Sequence, residues 1–446
     1  MASPARRWTA DQLDRFYRDR RYSNIQLEEE LRKSAMPEVE KGLATRLFYG
    51  VIERQLTLDH LLSSFCKTKL SRLHPLVLQI LRCGAYQLLY MDKIPAPAAV
   101  NEAVELTKRS AQFKAAGMVN AVLRAIDRDG MRILADLPDD PDGWSIRYSC
   151  PRPIIDLWIA DYGAERARKL AECANDIPPH TLRINTAATN ADQVRRSLAE
   201  AGVAFEEIPG LENALTIFQN SLGKSLETLQ KNWYYYQDMA SQWACRALDA
   251  RPGERIIDVC AAPGGKSFTV AQSLNGQGEV VACDLYAAKC EVIRRRAEEL
   301  SLPVVKTRQR DASAPCAKDE KAAFDRVICD LPCSGLGVIR RKPEIRYKDP
   351  APWADLPALQ RQILDRSAEL VRPGGVLQYS TCTLRRAENE EIADWFLQTH
   401  PDFQPRVLPL EECFARAGIA PDHRITLFPD EQGSDGFFIA SFQRTR

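Results

Sequence analysis

"IIDVCAAPGGKSFTVAQSL", residues 256–274, reads as an apolar strand, a tight loop of small residues and a helix. Similar strand-like runs recur at "GEVVACDL" (278–285), "FDRVICDLP" (324–332) and "GGVLQYSTC" (374–382). Helical stretches such as "AKCEVIRRRAEELS" (288–301) and "LPALQRQILDRSAELV" (356–371) separate them. Alternation of this kind predicts a mainly parallel, doubly wound α/β sheet from about residue 236 onward. Ligands of such sheets bind at the carboxyl ends of the strands, and every candidate motif below falls at one of those ends.

The segment "GGKS" (264–267) resembles the end of a phosphate-binding loop, G-x-x-x-x-G-K-[ST]. Five positions before Gly265, however, stands Cys260, where that motif requires glycine. A loop for a nucleoside cofactor fits better. Gly264 and Gly265 let the backbone approach a ligand, because no Cβ intervenes. Asp284, about 20 residues on at the end of the next strand, suits a ribose diol. Asp311 in "RQRDAS" follows a third strand and suits an exocyclic adenine amine. Together these point to S-adenosylmethionine, whose carboxylate would meet amides at the start of the helix. The G-x-G-x-x-G fingerprint of a nicotinamide cofactor is missing.

Two loops present cysteines at the same end. The fourth strand runs into Asp330-Leu331-Pro332-Cys333, and the fifth into Ser380-Thr381-Cys382. An isolated cysteine is usually a small buried hydrophobe, the reading taken for Cys66, Cys83, Cys173, Cys245, Cys260, Cys283 and Cys329. Cys333 and Cys382 are expected to act. Beside a methyl donor, a thiolate adding at carbon 6 of a pyrimidine makes carbon 5 nucleophilic, and elimination later restores the ring. Asp330 would stabilise that adduct by sharing a proton with the base. The residues alone do not say which thiol attacks.

The rest of the chain is different in character. Residues 8–135 are helical, with "HPLVLQILRCGAYQLLYM" (74–91) apolar on most sides, as for the central helix of an all-α bundle. "LPDDPDGW" (137–144) breaks that pattern and marks an expected domain boundary. Residues 145–235 mix short helices with strand-like pieces, "HTLRINT" (180–186) and "ALTIFQN" (214–220), as a small connecting α+β domain. The expected division is 1–140, 145–235 and 236–446.

At 446 residues, with 45% hydrophobic and 27% charged residues, the chain supports several globular domains. No run of about 18 apolar residues predicts a membrane span, and the first residues lack the apolar core of a signal peptide. Thirteen scattered cysteines suit reduced thiols in the cytoplasm. The lack of any C-x-x-C pair and a total of five histidines argue against a structural zinc site. Net charge is +1, but "VIRRKPEIRYK" (338–348) sets five basic residues against one glutamate. Arg340, Arg341, Lys342 and Arg346 are therefore expected to meet a polyanion.

The series "QDMASQ" (237–242), "DVCAAPGGKS", "CDL", "RDAS", "DLPCSGLG" (330–337), "IRRKPEIRY", "YSTCTLRRAENE" (379–390) and "DGFFIA" (435–440) closely resembles the RNA cytosine-C5 methyltransferases of the bacterial Sun/Fmu and eukaryotic nucleolar-protein family. "RLFYGVIERQLTLDHLL" (46–62), "AVNEAVELTK" (99–108) and "VNAVLRAI" (119–126) resemble the RNA-binding helical domain of the antitermination factor NusB. That fusion is the mark of the small-subunit (16S) ribosomal RNA branch. The resemblance implies a NusB-like bundle, a small α+β domain and a Rossmann-like class I methyltransferase domain. It further implies Cys382 as covalent nucleophile, Cys333 as the residue assisting product release, and Asp330 touching cofactor and base. Cys260, Ala261, Ala262, Pro263, Gly264, Gly265, Lys266, Asp284 and Asp311 would hold S-adenosylmethionine. The implied substrate is naked or partly assembled 16S rRNA, met in the cytoplasm by a monomer without metal. A tRNA cytosine methylase shares the chemistry, and a non-catalytic RNA-binding factor shares the helical domain.

Overall fold

The computed structural model describes residues 3–19, 23–218, 226 and 229–445; Gln219 and Asn220 of the strand-like piece 214–220 lie outside them. The chain forms two compact units, Met1–Asp176 with Ile339–Lys348, and Ile177–Val338 with Asp349–Arg446. No helix among the described residues is long and apolar enough to cross a membrane.

The first unit is helical. Helix Pro75–Tyr90 begins with proline after His74, whose ring accepts the Leu76 N–H at 3.3 Å. Its Val77, Ile80, Leu81 and Ala85 pack with Leu47, Val51, Leu61, Val119 and Leu123 from surrounding helices. This is the central position that its apolar composition predicts. The "LPDDPDGW" stretch does interrupt a helix, yet the chain stays within the unit. Asp140 caps the next helix, Pro141–Arg147, by accepting the Gly143 N–H at 2.8 Å. Helices Arg152–Tyr162 and Ala164–Cys173 follow, and the unit ends only at Asp176. Asp140 as cap and Pro141 in the first turn make this stretch a helix start.

Residues 339–348 join this unit, which changes the reading of one predicted RNA contact. Arg346 is 2% exposed. It donates to the carbonyls of Glu53 (3.1 Å), Ser149 (3.0 Å) and Ala174, and to Asn175 Oδ1 (3.0 Å). A guanidinium so engaged closes the ends of neighbouring helices and offers no face to a phosphate. Arg340 and Arg341 are half-buried; Lys342 is exposed.

The second unit holds two sheets. Strands β1 (His180–Ile184), β2 (Phe205–Ile208), β3 (Leu211–Ile217) and β4 (Tyr234–Tyr236) form an antiparallel sheet in the order β2-β3-β1-β4. Helix Ala191–Glu200 contributes Val194 and Leu198 to a core with Leu182, Ile184 and Leu215.

The larger sheet comprises β5 (Arg255–Asp258), β6 (Glu279–Asp284), β7 (Val305–Gln309), β8 (Phe324–Asp330), β9 (Val371–Thr381), β10 (Phe403–Pro405), β11 (Arg424–Leu427) and β12 (Phe437–Arg444). Its order is β10-β12-β9-β8-β5-β6-β7, with β11 paired to β12. β5 through β9 run parallel, while β12 is antiparallel to β9. Buried Ile257, Val281, Val327 and Leu377 explain the near-continuous apolar runs, since helices cover both faces of a parallel sheet. Chain order reverses direction between β5 and its neighbours β6 and β8, which places the topological switch point at the end of β5.

Candidate active site

After β5 the chain makes the loop 259–264, passes a cis Ala262–Pro263 peptide and enters helix Gly265–Ser273. Gly264 has φ +106°, and a Cβ there would strike the Phe268 ring at 2.4 Å. Its need for glycine thus comes from backbone conformation and from the close approach of the following helix. Gly265 has only Gln237 near a virtual Cβ, at 3.5 Å. Ala261 N–H donates to Cys283 O at 2.7 Å, tying the loop to β6. Beneath it, Ser267 Oγ donates to buried Asp258 Oδ2 at 2.7 Å. Burial, ahead of all other causes, pushes the Asp258 carboxyl up to about 7.

Asp284 closes β6 with 7% exposure and accepts the Tyr286 N–H at 3.1 Å; Lys289 Nζ lies 3.6 Å away. β6 and β7 pair Asp284 with Gln309, so Asp311, two residues on, emerges at the same end of the sheet. Asp311 is exposed, and its Oδ1 accepts both the N–H (2.9 Å) and the hydroxyl (2.6 Å) of Ser313. Those bonds hold its carboxyl below the usual range. Leu285 and Tyr286, which follow Asp284 directly, are 49% and 58% exposed. This exposed apolar pair at the end of β6 is the feature that reading acidic positions alone overlooked.

β8 and β9 are neighbours in parallel register, with Asp330 opposite Ser380. This register brings the two cysteine loops together. Cys333 Sγ and Cys382 Sγ are 3.4 Å apart, and both residues are half-buried. The hydrogen bond with Cys382, then burial, holds the Cys333 thiol well above the usual thiol range. Asp330 Oδ2 receives Lys266 Nζ at 2.6 Å, and Oδ1 receives Ser380 Oγ at 2.9 Å. Lys266 also reaches Ser241 Oγ at 3.5 Å and sits 5.0 Å from the Phe437 ring centroid. Burial opposes its charge, but the Asp330 carboxylate more than compensates and leaves the ammonium raised above its ordinary range. Lys266, expected among the cofactor residues, is thus the partner of Asp330.

Glycines let the loops approach. Gly337 N–H donates to Cys382 O at 3.0 Å, and Gly436 N–H to Gly337 O at 2.9 Å. A Cβ on Gly337 would lie 1.9 Å from Gly436 O. The "DLPCSGLG", "YSTCTL" and "DGFFIA" motifs are therefore one contiguous structure.

A profile of the family described as "16S rRNA methyltransferase RsmB/F" matches residues 245–443. The sheet with its strand-end loops is accordingly a methyltransferase domain. Profiles of the NusB family and of a ferredoxin-like domain of RsmF/B-like methyltransferases match residues 3–128 and 150–221. The probable ribosomal RNA small subunit methyltransferase B of Bacillus subtilis is 35% identical, with 95% of each chain covered. That of Pseudomonas putida is 31% identical over 90% of each chain. The chain belongs to the ribosomal RNA small subunit methyltransferase B family, and it is an enzyme of the methyltransferase class. Solved structures agree on the fold. The structure of PH0851 has a TM-score of 0.80 at 22% identity over the full length of both chains. A methyltransferase homolog from Pyrococcus horikoshii has a TM-score of 0.58 at 25% identity, covering 69% of this chain and all of its own.

Proposed function

We propose that this protein converts a cytosine of 16S ribosomal RNA to 5-methylcytosine, using S-adenosylmethionine, through a covalent bond between Cys382 and carbon 6 of the base. The observation that carries the reading is the 3.4 Å thiol pair beside Asp330 at the switch point. Two cysteines and a carboxylate at one ligand-binding end have little purpose in simple methyl transfer to oxygen or nitrogen. They suit a ring that must be made nucleophilic and then released.

The donor set fits the cofactor. The near-buried Asp284 suits a ribose diol, Asp311 an adenine amine, and exposed Leu285 and Tyr286 the faces of the adenine ring. Residues 260–266 and the first amides of helix Gly265–Ser273 suit the carboxylate end. Bound there, S-adenosylmethionine supplies the electrophilic methyl group. The protein's own groups do the rest. Cys382 adds as thiolate to carbon 6. Asp330, aligned by Lys266 and Ser380, accepts a hydrogen bond from the exocyclic amine or a proton shared with N3. After methyl transfer the carbon-5 proton passes to water and the bond from carbon 6 to sulfur breaks, so Cys382 leaves as thiolate. The Cys333 thiol, held well above its ordinary range, hydrogen-bonds that leaving sulfur.

The target base must be single-stranded or extruded to reach half-buried thiols, which favours naked or partly assembled 16S rRNA met in the cytoplasm. The protein acts as a monomer. Arg340, Arg341 and Lys342, together with the NusB-like domain, supply phosphate contacts and make binding salt-sensitive. The names of the relatives favour ribosomal over transfer RNA. Bisulfite sequencing of RNA from cells with and without the protein tests the reading. One 16S cytosine should lose its methyl group; loss confined to tRNA, or no loss at all, overturns it.

A further inference from the structure

We propose that the consecutive residues Glu388 and Asn389 are positioning residues that set the spacing of the two thiols, each bracketing one cysteine; this rests on the covalent reading above. Both residues are fully buried, at 0% exposure. Glu388 Oε2 accepts the Ser334 N–H at 2.9 Å and the Gln360 amide at 3.1 Å, and that same amide donates to Pro332 O at 2.9 Å. The residues on either side of Cys333 are thereby tied to Glu388. Arg385 donates to the other carboxylate oxygen at 2.8 Å and supplies the charge that a buried carboxylate needs.

Asn389 does the same for the other cysteine. Its Oδ1 accepts the Thr381 hydroxyl at 2.5 Å, and its Nδ2 donates to Thr383 O at 2.9 Å, so both neighbours of Cys382 are held. A hydroxyl bridge, Ser334 Oγ to Thr383 Oγ1 at 2.6 Å, joins the two brackets. The hydrogen bonds of Glu388 and Asn389 run to the neighbours of the two cysteines. Their function is geometric, because release of the product requires Cys333 to stay within reach of whatever Cys382 holds. A misplacement near 1 Å at a reacting centre costs about 10²-fold in rate. Adjacency in sequence means that one peptide unit serves as the common ruler for both loops.

The test uses the full chain in Glu388→Gln, Asn389→Ser and Thr383→Val forms, each keeping both thiols, with Cys333→Ser as the control that cannot couple. Diamide converts neighbouring thiols to a disulfide, taking up their two protons and two electrons as it becomes a hydrazine. Its rate of coupling Cys333 to Cys382, followed by peptide mass, therefore gauges the spacing without RNA. Coupling should slow severalfold in the Gln and Ser forms and less in the Val form. Methyl-transfer kcat should fall about tenfold in the first two, with KM for S-adenosylmethionine within twofold. Coupling at the wild-type rate in both overturns the proposal. So does a rise in that KM matching the loss of kcat, which would indicate general loosening. Because coupling needs no substrate, failure of the covalent mechanism itself leaves this gauge intact and is recognised separately.

Discussion

Lys266 donates to Asp330 across 2.6 Å, joining the start of the helix after β5 to the end of β8 across the switch point. Both groups are mostly shielded, with side-chain exposures of 13% and 29%. The pair orients the Asp330 carboxylate, which also receives Ser380, and ties the loop after β5 to the loop that carries Cys333. Lys266→Met leaves Asp330 with Ser380 alone. Truncating one partner of such a pair costs about 2–5 kcal/mol, so kcat should fall by roughly 10²-fold or more. Steady-state methylation of 16S rRNA fragments measures this; a loss under threefold would remove Lys266 from the reaction.

The roles of the two thiols separate on denaturing gels. With RNA and S-adenosylmethionine, Cys333→Ala should accumulate a protein–RNA adduct, because Cys382 attacks but release is slow. Cys382→Ala should form none, and both variants should lose turnover by at least about 10³-fold as members of a covalent pathway. The reverse pattern would exchange the roles.

How far the sequence was legible depended on the range of the interaction involved. The parallel sheet, the central helix Pro75–Tyr90 and the strand-end positions of Asp284 and Asp330 follow from periodicity, which is local. The adjacency of β8 and β9, which makes two loops one site, was an expectation that only register confirms. Glu388 and Asn389 lay within the quoted "YSTCTLRRAENE" motif, but nothing in a string of letters says that a glutamate reaches across 54 positions to the Ser334 amide. Lys266 is expected among the cofactor residues from its place in the loop; that it also pairs with Asp330, 64 positions away, is not legible in the sequence. Arg346 shows the opposite error. A basic run reads as a surface feature, yet one member of it is the buried tie of a helical unit.

That distinction is measurable. Arg346→Ala leaves the carbonyls of Ser149 and Ala174 without their donor inside the first unit. It should destabilise the protein by about 3–5 kcal/mol, as when a buried charged partner is removed. Thermal unfolding reports the change. Lys342→Ala, by contrast, should leave the melting temperature within a degree or so and reduce the salt dependence of RNA binding by about one counterion. An Arg346 variant with native stability and weakened RNA affinity would restore the original expectation for this side chain.

Asp258 gives the fold a pH dependence with a definite sign. Its carboxyl titrates at about 7 in the folded protein against 3.8 when unfolded. Burial is the main cause; the Ser267 hydrogen bond opposes it, the nearby Asp330 charge adds to it and Lys266 opposes it. Between those values the folded state binds the extra proton, so stability falls as pH rises through this window. About three pKa units correspond to roughly 4 kcal/mol, fully present below pH 4 and lost above pH 7. Asp258→Asn keeps an oxygen to accept the Ser267 hydroxyl and removes the titration. Denaturant unfolding should give nearly equal stabilities for the two proteins at pH 4 and a variant more stable by up to about 4 kcal/mol at pH 8. Parallel stability curves across that range would mean that Asp258 is ionised in the fold at neutral pH and that Lys266 compensates two carboxylates at once.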